Sequence, residues 1–252
     1  MSAPSRFKYP DTYTTRYGIA GIARCVEKEV VAVVGVGGSG SYLTDLLAKT
    51  NVKEVHLFDD DCLLNHNAFR LAGAASVDEI DGSTCKVLWH KQRYAAVREE
   101  GIYTYRKKVG PADPSSIRSD LEGCTMVFIA VDKPSARRNI QRTCNEMGID
   151  HIALGIGVTV QGESKSSLGG MVCVEVACVP DGGFESDEAA ALDDDAYGHV
   201  QTAELNMLSA ALAIVEWKAL RGFYRRDDPT TGREALYVIS SGRIVTAETN
   251  GR

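Results

Sequence analysis

The stretch that decides the fold is Val30 to Arg70, VVAVVGVGGSGSYLTDLLAKTNVKEVHLFDDDCLLNHNAFR. Its first five residues are apolar and mostly β-branched, as in a strand buried on both faces, and they run into glycines that mark a tight turn. Leu43, Leu46 and Leu47 then recur at helical spacing. VKEVHLF is a second short apolar run, and it ends on three consecutive aspartates. Strand, helix and strand in this order make a parallel, right-handed unit with glycines at its first turn.

The alternation continues downstream. STCKVLWHKQRYAAVREE reads as a helix with Val87, Leu88, Tyr94 and Val97 apolar, and IYTYRKKV alternates like a strand. TMVFIAVD reads as a buried strand ending on Asp132. KPSARRNIQRTCNEMGI follows as a helix, with Pro134 near its start, where proline is tolerated, and DHIALGIGVTV is the next strand. Beyond it the pattern changes. GGMVCVEVACV reads as a strand in a more antiparallel part of the sheet, and VQTAELNMLSAALAIVEWKALRGFY as one long helix with Met207 and Trp217 in the core. ALYVISSGRIVTAE reads as a hairpin turning at Ser241–Gly242. The expected fold is α/β: a Rossmann-like doubly wound sheet, parallel in its first half and more antiparallel in its second. An N-terminal segment, residues 1–29, precedes a single domain over residues 30–252. Seven acids between Asp181 and Asp195, with no base among them, mark a loop over about residues 180–199.

With 252 residues the chain can bury a large core. Its net charge of -6 gives no electrostatic case for nucleic acid or an anionic membrane as main partner. The polar N-terminus lacks the apolar core of a signal peptide, and no apolar run is long enough to span a bilayer. Seven scattered cysteines without a C-x-x-C pair point to reduced thiols in a cytoplasmic protein, not to a structural zinc. The five histidines show no ligand spacing.

Gly35, Gly37 and Gly40 fit G-x-G-x-x-G, which lets backbone N–H groups approach a phosphate, and Asp59 ends the next strand where a ribose hydroxyl would lie. That much would also fit a nicotinamide-dependent dehydrogenase. The remaining residues discriminate. Asp61, Asn67 and Arg70 follow Asp59 on one loop, Lys86 opens the next helix, and Asp132 closes a later strand on the same edge of the sheet. A pyrophosphate cofactor does not need these groups. A nucleoside triphosphate does: Arg and Lys neutralise its phosphates, and a carboxylate can hold the accompanying Mg²⁺.

As an ordered set, the turn from Gly35 to Ser41, the D-x-D of Asp59 and Asp61, the N-x-x-R of Asn67 and Arg70, Lys86 and Asp132 resemble the MoeB/ThiF and ubiquitin-activating-enzyme superfamily of adenylating enzymes. The resemblance covers about residues 10–245. It implies that Gly37 and Gly38 accommodate ATP, that Asp59 binds the ribose, that Asn67, Arg70 and Lys86 hold the phosphates, and that Asp132 holds Mg²⁺. It also implies a dimer in which an N-terminal arginine reaches the partner's site, with Arg16 the first match and Arg6 the second. The expected substrate is the C-terminal carboxylate of a ubiquitin-like protein, turned into an acyl-adenylate with release of pyrophosphate. The alternatives are another carboxylate, on a modified tRNA base or a peptide, or a non-catalytic partner subunit. The family's zinc-binding C-x-x-C pairs and its crossover-loop cysteine are missing here. Three alternatives follow: the protein only adenylates, it uses a cysteine elsewhere, with Cys178 and Cys173 nearest in sequence, or a partner such as a conjugating enzyme, or a further domain, supplies the thiol.

Overall fold

The computed structural model describes residues 6–107, 118–162, 164–179, 200–227 and 233–248. The acidic segment, with Asp193, Asp194 and Asp195, lies outside them. After the short helices α1 (Thr12–Arg16) and α2 (Ala20–Ala23) come β1 (Val30–Val34), α3 (Gly38–Ala48), β2 (Glu54–Phe58), α4 (Asn65–Ala68), α5 (Lys86–Tyr94) and β3 (Ile102–Tyr105). Then follow β4 (Met126–Ile129), α6 (Pro134–Met147), β5 (Asp150–Gln161), β6 (Ser167–Ala177), α7 (Ala203–Leu220), β7 (Arg233–Val238) and β8 (Arg243–Glu248).

These strands form one sheet in the order β3-β2-β1-β4-β5-β6-β7-β8. Pairing is parallel from β3 to β5 and antiparallel from β5 to β8. The expected change of character therefore falls at β5. Strand order reverses between β1 and β4, so the crevice at their C-terminal ends is the switch point where α/β sheets bind ligands. The glycine turn lies there.

Alternate residues of each strand point to opposite faces. Val31 and Val33 of β1, Leu57 of β2, Phe128 of β4 and Val174 of β6 pack with Leu43 and Leu47 of α3, Val87 of α5 and Trp217 of α7. Ala32, Val34, Val127 and Ile129 face the other way, against Ile140 and Cys144 of α6. Both faces are covered, which is why all five residues of β1 are buried and apolar.

Two expectations are corrected. Strand β4 ends at Ile129, and Asp132 is an exposed loop residue two positions before Pro134. Met207 is 49% exposed, because α7 is apolar on nearly all sides while only one side meets the sheet. Leu88 is likewise half exposed, whereas Val87 and Tyr94 of α5 are buried.

Helix α7 is tied at its end to the N-terminal edge of the sheet. Arg221 donates to Glu29 Oε2 at 2.9 Å, to Asp150 Oδ2 at 2.8 Å and to the Thr125 carbonyl at 2.8 Å. One guanidinium thus joins the segments that lead into β1, β4 and β5. Among the described residues, no helix is long and apolar enough to cross a membrane.

Candidate active site

The turn after β1 is held by close backbone approach. Gly35 has φ +86, and a Cβ there would lie 2.7 Å from the Ala130 carbonyl oxygen; a Cβ at Gly40 would lie 1.8 Å from the Gly35 carbonyl oxygen. Neither position tolerates a side chain. Gly37, which caps α3, has no atom within 4 Å of a Cβ position. It presents open space at a helix N-terminus, where N–H groups are unpaired.

Val36 is fixed from two sides. Its N–H donates to Asp59 Oδ2 at 2.8 Å, and its carbonyl accepts from His90 Nε2 at 3.2 Å. A carbonyl can only accept, so the imidazole hydrogen is on Nε2, and the buried Nδ1 has no partner among the described residues. Burial pushes His90 down to about 4, so the ring is neutral near pH 7.

Asp59 and Asp61 are brought together with Lys86. The Asp59 carboxylate also accepts the Asp61 N–H at 2.9 Å, and burial raises its pKa although Lys86 opposes the shift. Lys86 is buried; its Nζ lies 2.7 Å from Asp61 Oδ2 and 3.8 Å from Asp59 Oδ1, and its N–H donates to the Asp61 carbonyl at 3.1 Å. The carboxylates of Asp59, Asp60 and Asp61 lie within 4.8 Å of one another, a set that could also hold a cation. Asn67 is buried and accepts the Leu64 N–H through Oδ1 at 2.9 Å. Arg70 donates through Nη1 to Gln201 Oε1 at 2.7 Å. Asn67 Nδ2 and Arg70 Nε are buried donors without a partner among the described residues. Unpaired buried donors of this kind suit an anionic ligand.

Two residues ahead of or within α7 belong to this site and were missed in the sequence. Gln201 holds Arg70. Asn206 is fully buried, accepts from Ser39 Oγ at 2.9 Å and donates through Nδ2 to the Thr202 carbonyl at 2.9 Å. A Cβ on Gly38 would lie 2.5 Å from its amide, so Gly38 is small because Asn206 packs on it. The available signal was one uncharged amide in a long apolar helix.

The remaining expected residues lie apart. Arg16 is exposed at the end of α1, 5.9 Å from the Tyr17 ring. Arg6 donates to Asn51 Oδ1 at 3.4 Å, beyond the far end of α3. Helix α3 has 11 residues, or about 16 Å, so within one chain Arg6 is remote from the glycine turn. Cys173 meets Glu234 Oε1 at 3.3 Å, and burial together with Glu175 and Glu234 raises its thiol far above the usual range, which disfavours a nucleophilic thiolate.

A model of the ThiF family matches residues 15–171, more than half of the chain. Ubiquitin-like modifier-activating enzyme 5 of Aedes aegypti is 26% identical over 153 residues, which make up 56% of this chain and 37% of that protein. The chain thus spans little more than a third of that curated relative. Among solved structures, Escherichia coli MccB with succinimide superposes with a TM-score of 0.75 at 15% identity, over 96% of this chain and 72% of MccB. MccB with ATP gives 0.73 at 15% identity, covering 98% of this chain and 74% of MccB, and PaaA gives 0.70 at 18% identity, covering 98% and 77%. At these identities the likeness is one of fold.

Proposed function

The chain belongs to the ThiF family, and from that premise we propose that it is an ATP-dependent adenylyltransferase that activates a carboxylate. The observation that supports this reading is the cluster of Asp59, Asp61 and Lys86, tied by Asp59 to the Val36 N–H of a glycine turn open at Gly37. Asp59 receives the ribose. Arg70, Lys86 and Asn67 hold the phosphates, and Arg70 and Lys86 balance the charge of the departing pyrophosphate. The turn seats the α-phosphate in line with an incoming carboxylate, which is already ionised at neutral pH and needs no general base. Asp132, exposed beyond β4, would hold Mg²⁺, which offsets phosphate charge.

The preferred substrate is the C-terminal carboxylate of a ubiquitin-like protein, supported by the likeness to a ubiquitin-like modifier-activating enzyme. A second reading, another carboxylate such as a peptide's, is favoured by the shared fold with MccB, solved with MccA and with N-formylated MccA. In this proposal the enzyme is a cytoplasmic homodimer, and the N-terminal segment brings Arg16 to the partner's site.

ATP–pyrophosphate exchange with purified candidate carboxylates tests the reading. Exchange that depends on one of them supports it. ATP binding without exchange on any ubiquitin-like or peptide carboxylate rejects it.

A further inference from the structure

Cys62 and Cys85 stand directly opposite each other in an isolated antiparallel bridge. The backbone bonds run from Lys86 N–H to the Asp61 carbonyl at 3.1 Å and from Leu63 N–H to the Thr84 carbonyl at 2.8 Å. They flank the cysteine pair and do not join it. In such a pair the Cα atoms lie about 4.5 Å apart, with both side chains on one face. A disulfide spans Cα separations of about 4.4–6.8 Å, so the bond can form by side-chain rotation alone. Both thiols are free here. Cys62 is half-buried, its Sγ donating to the Ser83 carbonyl at 3.6 Å and lying 3.7 Å from Arg106 Nη2; Cys85 is 6% exposed. Cys62 is thus the more accessible of the two.

The neighbours give this pair its meaning. Cys62 follows Asp61, and Cys85 precedes Lys86. The bridge that sets the two cysteines opposite each other is flanked by Asp61 and Lys86, whose side chains meet at 2.7 Å. In the adenylation reading, Lys86 turns from that carboxylate toward a phosphate.

We propose that Cys62 and Cys85 form a reversible disulfide that lowers the activity of the adjoining site by locking Asp61 against Lys86. The oxidant is a small-molecule disulfide, RSSR. The Cys62 thiolate attacks one of its sulfurs and displaces RS⁻. The Cys85 thiolate then attacks the Cys62 sulfur of the mixed disulfide and displaces the second RS⁻. The two protons lost by the protein thiols go to the two RS⁻ groups, so RSSR is reduced to two RSH as the protein is oxidised. The effect on activity rests on the adenylation reading; formation of the bond does not.

The test incubates the full chain with excess oxidised glutathione, alkylates free thiols, digests without reductant and maps the peptides by mass spectrometry. The expected result is a cross-linked peptide pair carrying Cys62 and Cys85. It is accompanied by a several-fold slower ATP–pyrophosphate exchange that dithiothreitol restores and that Cys62→Ser does not suffer. Cys62 recovered only as the free thiol or as the glutathione adduct overturns the proposal, whatever the exchange rate. A cross-link that leaves exchange unchanged overturns the inhibition. If no carboxylate supports exchange at all, the adenylation reading fails, and the peptide map still decides whether the disulfide forms.

Discussion

Replacing Lys86 by Met keeps most of an apolar stem and removes one charge, so the cost can be worked from the two distances around Nζ. The Asp61 side chain is 66% exposed, and its 2.7 Å contact with Lys86 contributes less than about 1 kcal/mol because water screens it. Asp59 is different: its side chain is 10% exposed and lies 3.8 Å from the ammonium. At an effective dielectric constant of about 20 that attraction is about 4 kcal/mol. Roughly half of it is offset, because the variant no longer has to desolvate a buried ammonium. A net loss of about 2 kcal/mol follows, or a fall in the urea midpoint on the order of 1 M. The pH dependence carries the sharper test. Burial already holds the Asp59 carboxyl above its usual value, with Lys86 pulling the other way. Without Lys86 it rises further. An acid whose folded pKa is raised contributes stability that is fully present below its unfolded value and lost as the pH rises through the folded value. The penalty of Lys86→Met should therefore be largest near pH 7 and shrink toward the usual carboxylate range. Urea unfolding of both proteins near pH 7 and near pH 5 measures this. Equal penalties at the two values would refute the pairing of Lys86 with a buried Asp59 charge.

Asp132→Ala should abolish Mg²⁺-dependent ATP–pyrophosphate exchange while thermal unfolding stays unchanged, since the side chain is exposed; normal exchange would remove Asp132 from the metal role. Asn206→Ala should lower stability by about 1–2 kcal/mol and weaken nucleotide affinity together, because it releases both Ser39 and the Thr202 carbonyl; an affinity unchanged in calorimetry would detach α7 from the site. His90→Gln keeps a donor for the Val36 carbonyl and removes the titration. His90 falls to about 4 in the folded chain, so its contribution is present above its unfolded value near 6.5 and is lost as the pH falls through 4, by about 3 kcal/mol in all. The variant's urea stability should decline less between pH 7 and pH 4, and parallel declines would contradict a neutral buried ring.

The first half of the fold was legible because each element there answers to its own residues: a β-branched run for β1, helical leucines for α3, a second apolar run for β2. The cluster of Asp59, Asp61 and Lys86 was legible because it is compact in sequence. What escaped depends on distance. Gln201 meets Arg70 across 131 positions, and Asn206 meets Ser39 across 167, so neither shows in any local window. His90 looks like any helix residue until the Val36 carbonyl is placed above it. Met207 went astray for the opposite reason: in a helix apolar on nearly every side, composition does not say which side the sheet will cover.

The position of α7 has a consequence for how the protein is made. Synthesis delivers the glycine turn, Asp59 and Lys86 early, whereas Gln201 and Asn206, and then the Arg221 anchor, leave the ribosome only after most of the chain. At about 5–20 residues per second, the interval between the turn at Gly35 and the anchor at Arg221 is roughly 10–40 s. During that time the nascent chain has a glycine turn with no amide packed on Gly38 and an arginine with no glutamine to hold it. The helix that finishes the core also supplies the amide that packs on Gly38 and follows the glutamine that holds Arg70, so a chain cut short of it lacks both contacts.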